Sequence, residues 1–114
     1  MQAMEQAKAL AQAIQESEEY REYARLKVEI DADAGIKSLV NEYKRLQTAM
    51  QMRLLSGQSM EGDDMQKFQS LNMLLFADSR TSGYLMAEMR LQKMMADIFG
   101  VLTQAAGMEI PLPM

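Results

Sequence analysis

Apolar residues recur every three or four positions along almost the whole chain, and no proline interrupts them before Pro111. That period fits one face of an α-helix and does not fit a strand, where side chains alternate with a period of two. No alternating Val/Ile/Thr run and no Asn-Gly turn offers a competing hairpin. The spacing therefore predicts an all-α fold of about five helices. It is an antiparallel helical hairpin or bundle built on two long helices, over about 33–56 and 79–106.

Capping residues mark where each helix starts and stops. Residues 3–15 place Ala3, Ala7, Leu10 and Ile14 on one face. Ser17 reads as an N-cap, with Glu18 and Glu19 in the first turn, where the helix dipole favours negative charge. Tyr20, Tyr23, Ala24, Lys27 and Ile30 then line one side of a second helix, and Glu18–Arg21 and Glu22–Arg25 form (i, i+3) pairs on its outer side. Asp33 is placed as the N-cap of the third helix, whose stripe is Ile36, Leu39, Val40, Tyr43, Leu46, Met50 and Leu54. Gly57 can take the left-handed conformation that ends it. Residues 57–64 read as a loop, after which Asp63 or Asp64 caps a fourth helix with Met65, Phe68, Leu71, Asn72 and Leu75 inward. Asp78 and Ser79 cap the fifth helix, which Gly107 ends. One helical domain over 1–107 is expected, followed by a flexible tail, 108–114, whose two prolines cannot continue a helix.

The missing residue types exclude most site chemistry. With no Cys and no His among 114 residues, the chain cannot build a zinc site of the usual kind, an iron–sulfur cluster or the Glu-x-x-His ligands of a di-iron bundle. Nucleophilic pairs that depend on His are excluded as well. No cofactor is expected. Twelve Lys and Arg are scattered among sixteen acids, for a net charge of −4, which argues against nucleic acid as a direct ligand. The opening MQAMEQAKALAQAIQES lacks the basic start and apolar run of a signal peptide, and no stretch is long and apolar enough for a transmembrane helix. A cytoplasmic protein with no membrane contact is the expectation.

Three constellations resemble sites on first inspection. Asp31, Asp33 and Glu42 fall at positions one, three and twelve of a calcium-loop pattern, but Gly35 stands where an oxygen ligand belongs and Ile36 where the sharp turn belongs. Helix capping is the better reading. Glu61, Asp63 and Asp64 cluster on a glycine-flanked loop that gives no burial to split their pKa values. Tyr20, Tyr23 and Tyr43 sit at core spacing, with no partner base for tyrosine chemistry.

The segment YLMAEMRLQKMMADIF, residues 84–99, carries the positive signal. On a helical wheel a broad apolar arc collects Tyr84, Ala87, Leu91, Met94, Met95, Ile98, Val101, Leu102 and Ala105. A second, narrower arc holds Leu85, Met89, Ala96 and Phe99. The fourth helix has a surplus of its own in Met73, Leu74 and Phe76. A surface helix needs one apolar face, and a second one calls for a second partner, either another helix of the same chain, with helices one and two folding back over it, or another molecule. Leu85, Met89, Ala96, Phe99, Met73 and Phe76 are therefore the expected protein interface, used for self-association, as a dimer or higher, or for another protein.

Read together, the pieces resemble the YlbF/YmcA family, the control-of-competence regulators. Ser17, Glu18, Tyr20, Ile30, Asp31, Leu39, Val40, Glu42, Tyr43, Leu46, Gln47 and Gln51 carry the first part of the pattern. Tyr84, Leu85, Ala87, Glu88 and Leu91 carry its Tyr-Leu-x-Ala-Glu…Leu segment, and the likeness spans about residues 3–107. The resemblance implies a small, self-associating, bacterial cytoplasmic protein without enzymatic activity. It would act as a regulator or adaptor in a complex that influences competence, biofilm formation, sporulation or messenger RNA processing. Iron–sulfur clusters carried by some members of that complex do not transfer to a chain without Cys. Two other readings compete: a carboxylate-only metal-binding protein or enzyme, and a secreted helical hairpin. The last calls for a Trp-x-Gly turn, and the chain has no Trp.

Overall fold

In the computed structural model, residues 1–59 and 62–107 are described. They form five helices: α1 (Gln2–Glu16), α2 (Glu18–Asp31), α3 (Ala34–Leu55), α4 (Asp63–Ala77) and α5 (Ser79–Ala106). No strand occurs among the described residues. The chain is all-α, and its two longest helices, α3 and α5, are those the spacing predicts. The expected tail 108–114 lies outside the described residues.

The helix boundaries have local causes. Ser17 separates α1 from α2: its hydroxyl donates to the Ile14 carbonyl at 2.5 Å and accepts from the Tyr20 amide at 3.2 Å. Asp33 caps α3, its Oδ1 accepting from the amides of Gly35 and Ile36 at 3.1 and 3.2 Å. At the other end, the Gln58 amide reaches the Arg53 carbonyl at 2.7 Å and the Gly57 amide reaches the Leu54 carbonyl at 3.2 Å. This is a Schellman closure, and Gly57 at φ 79° supplies the left-handed residue it needs. The start of α4 departs from expectation. Gly62 is its N-cap and no side chain caps it; Asp63 and Asp64 lie in the first turn. The preceding loop thus ends at Gly62, two residues earlier than the spacing suggests, and Glu61 lies outside the described residues. Acids in a first turn still favour the helix through its dipole, which explains why the sequence signal for a cap and for a first turn look alike. Before α5, Asp78 Oδ1 accepts from the Arg80 amide at 2.8 Å, so Asp78 caps α5 and Ser79 is its first residue.

The sequence reads as one domain over 1–107; among the described residues the contacts group into two compact units, residues 1–25 with 85–107, and residues 26–59 with 62–84. Unit boundaries fall inside α2 and inside α5.

The second unit contains most of the core. Leu26, Ile30, Val40, Tyr43, Leu46, Leu75, Thr81 and Tyr84 are buried there. Helices α3 and α4 run antiparallel. Tyr43 donates its hydroxyl to Asn72 Oδ1 at 3.1 Å and stacks on Phe68 with ring centroids 5.1 Å apart, while Arg53 approaches Asp64 at 3.9 Å nearer the loop. The Tyr43 ring is buried and its hydroxyl has a partner, as a buried tyrosine requires. Burial pushes its phenol above the ordinary value. Thr81 is also buried, its hydroxyl against the carbonyls of Leu75 and Asp78, which ties the α4–α5 turn to the core. Lys44 donates to the Tyr84 hydroxyl at 2.8 Å with its ammonium 4.9 Å from the ring centroid. The stripes of α3 and α4 are close to expectation, except that Leu39 and Leu54 are exposed. On α2, Leu26 is buried where the expected stripe has Lys27, which is exposed.

The first unit is much thinner. Helix α1 buries none of its residues, and Leu10 and Ile14 reach only half-burial. Leu85 and Ala87 are the buried residues of this unit among those described.

Candidate interaction surface

Helix α5 decides where an exposed apolar surface can lie. Its first turns are covered on both arcs: Thr81, Tyr84, Leu85 and Ala87 are all buried. Coverage then fades. Leu91, Met94, Ile98 and Phe99 are half-buried, and Met89, Met95, Ala96, Val101 and Leu102 are exposed. The expected interface therefore needs one correction. Leu85 is 5% exposed within the chain itself and is not available to a partner. It sits where α5 is packed on every apolar side, which a wheel cannot show because it treats all turns of a helix alike.

A second correction enlarges the surface. Met95, Val101 and Leu102 belong to the broad arc that spacing assigns to the chain's own core, yet Val101 is 67% and Leu102 53% exposed. Helix α1, in the same unit, offers mostly small side chains. Its apolar face consists largely of Ala3, Ala7 and Ala11, all exposed, with Leu10 and Ile14 its only half-buried apolar residues. That alanine-rich composition was the readable signal. In the same unit, the far end of α5 has its own apolar residues in water.

Leu102, Met95, Phe99, Ala96 and Met89 together span an arc of about 140° on α5, crossed by Glu88, Gln92 and Thr103. Four charged residues lie between 85 and 107, Glu88, Arg90, Lys93 and Asp97, two of each sign. Lys93 and Asp97 pair with each other at 3.0 Å on the outer strip. In the second unit, Met73, Leu74 and Phe76 at the end of α4 are exposed.

Carboxylates were the other candidate site, and their environments lead elsewhere. Hydrogen bonding to Arg45 holds Glu42 below its ordinary value, with a contact of 2.6 Å. Asp31 is lowered by Lys27 at 2.9 Å, and Lys37 and Lys44 contribute. Glu22 is lowered by Arg25, and Asp78 by the Arg80 side chain and amide. A carboxylate working as a general acid or base at neutral pH needs the opposite shift. Asp33 and Glu42, from the calcium-loop pattern, serve as a cap and an ion-pair partner. Glu42 and Asp63 also face an open groove with Gln66, Lys67, Ser70 and Leu71, where Lys67 adds a positive charge beside the two acids. No cluster of three potential metal ligands occurs among the described residues. No helix among them is long and apolar enough to cross a membrane.

A chain of five helices with exposed apolar residues on α4 and α5 belongs to the class of small all-α proteins. Comparison makes the class specific. Residues 3–105 match the family model described as control of competence regulator ComK, YlbF/YmcA, and the chain belongs to that family. Among similar proteins, a UPF0342 protein of Halothermothrix orenii is 31% identical over 104 residues, covering 91% of this chain and 86% of the relative. One of Desulfitobacterium hafniense is 30% identical over 112 residues, covering 98% and 90%. Another, of Caldicellulosiruptor saccharolyticus, is 29% identical over 100 residues, covering 88% and 83%. A solved structure described as a protein of unknown function (DUF964) from Bacillus stearothermophilus superposes with a TM-score of 0.73 over 94% of both chains at 15% identity, which establishes a shared fold.

Proposed function

We propose that this chain is a non-enzymatic regulatory adaptor that works by helix-mediated association in the cytoplasm, and that the exposed face of α5 is where a second copy of the chain docks. The observation that carries the reading is the exposure of Leu102, Met95, Ala96 and Met89 along one arc of α5, in a unit whose first helix buries none of its residues. Exposed apolar surface on one helix face, rimmed and crossed by polar residues, marks association in soluble proteins. A second copy is the occupant that the charge favours. The 85–107 segment carries equal numbers of acids and bases, so two copies meet without net repulsion, and a two-fold contact places the same patch on both sides. The family description supports a regulatory role. Within such a role, the α4 patch at Met73 and Phe76 is left for a different protein of a regulatory complex, in a process such as competence, biofilm formation, sporulation or messenger RNA processing.

Co-expression of tagged and untagged copies tests this. The tagged wild type is expected to retain the untagged copy through washing, and Met89→Glu is expected to lose it. Equal retention by the variant, or none by the wild type, contradicts the proposal.

A further inference from the structure

Resting on the association surface proposed above, we infer that Met89 and Met95 form a peroxide-sensitive modification site that controls docking. The chain has thirteen Met and no Cys, so thioethers are its only sulfur chemistry. Met89 is 63% and Met95 42% exposed, and they lie toward the two ends of the exposed arc that runs from Leu102 to Met89. A third methionine of the same helix, Met86, is 47% exposed but lies in the polar strip with Arg90, Lys93 and Asp97. Similar access on two different faces separates the consequence of oxidation from its mere occurrence.

A sulfur lone pair attacks the O–O bond of hydrogen peroxide. An S–O bond forms, the O–O bond breaks, and the second oxygen leaves as water with both protons. Sulfur loses the two electrons that peroxide gains. The product is a polar, chiral sulfoxide in place of a flexible apolar group, which disrupts methionine-rich contacts. Reversal belongs to the methionine sulfoxide reductases, which draw on a thiol reductant. Association and oxidation are then linked: docking covers the two thioethers, and their oxidation opposes docking.

The experiment treats the full chain with hydrogen peroxide, locates each added oxygen by peptide mass spectrometry, and measures association by light scattering, with circular dichroism to confirm that helices persist. Oxidation of Met89 and Met95 is expected to weaken association roughly tenfold or more, with recovery after reductase treatment. The double variant Met89→Leu/Met95→Leu keeps an apolar surface without sulfur; it is expected to associate as the untreated wild type does and to resist peroxide. Met86→Leu is expected to remain as sensitive as the wild type. Unchanged association of wild type oxidised at both positions, or equal sensitivity of the double variant, overturns the switch and leaves the docking surface standing. An untreated wild type that is monomeric at all concentrations removes the surface and the switch together.

Discussion

Leu46, fully enclosed on α3, shows what a single position contributes to this chain. With so few buried residues, each large one matters, and Leu46→Ala is expected to cost about 2–5 kcal/mol in urea unfolding. A loss under about 1 kcal/mol would mean the site relaxes around the deletion. Asp33→Ala removes an oxygen that serves two amides at the start of α3, for an expected loss of about 1 kcal/mol in the same assay. Both residues were legible in the sequence: Leu46 from its place in a 3.6-residue stripe, Asp33 from its place before one. Leu85 was not. A wheel gives its direction, but only packing gives its neighbours, and the first turns of α5 are covered on both apolar arcs. Leu26 was hidden for a related reason, since the amphipathic stem of Lys27 beside it satisfies the same spacing.

At the scale of helices, sequence defined the elements well because caps and period agree. Ser17, Asp33, Gly57 and Asp78 each act at a helix end where spacing places one. The start of α4 was missed because acids favour both a cap and a first turn, and only backbone geometry tells the two apart. Ion pairs along the helices make a pH prediction. Glu22, Asp31, Glu42 and Asp78 are all held below their ordinary values by neighbouring Arg or Lys. A carboxylate lowered in the folded state stabilises that state above its unfolded pKa, and the contribution is lost as pH falls through the folded value. The urea midpoint is therefore expected to hold steady from neutral pH down to about pH 5 and then to fall. Because these groups are exposed, added salt is expected to flatten the fall. A midpoint that rises on acidification contradicts this assignment. Between α3 and α4, Tyr43→Phe removes the hydroxyl that reaches Asn72 and keeps the ring against Phe68. Its expected cost is about 0.5–1.5 kcal/mol, far below that of Leu46→Ala in parallel unfolding curves.

At the scale of the whole molecule, the sequence showed an excess of apolar surface but misplaced part of it. The narrow arc of α5 keeps Met89 and Ala96 exposed and hides Leu85, while the broad arc leaves Met95, Val101 and Leu102 in water. The balance was readable only by comparing helices with one another: the first helix is alanine-rich and α5 is long. The proposed docking of a second copy covers that exposed end of α5. Its most direct test is multi-angle light scattering of the wild type over a dilution series, beside Leu102→Glu. The wild type is expected to exceed the monomer mass at high concentration and approach it on dilution, and Leu102→Glu to remain monomeric with its helical content intact. A wild type that scatters as a monomer throughout, or a variant that assembles equally well, would contradict it.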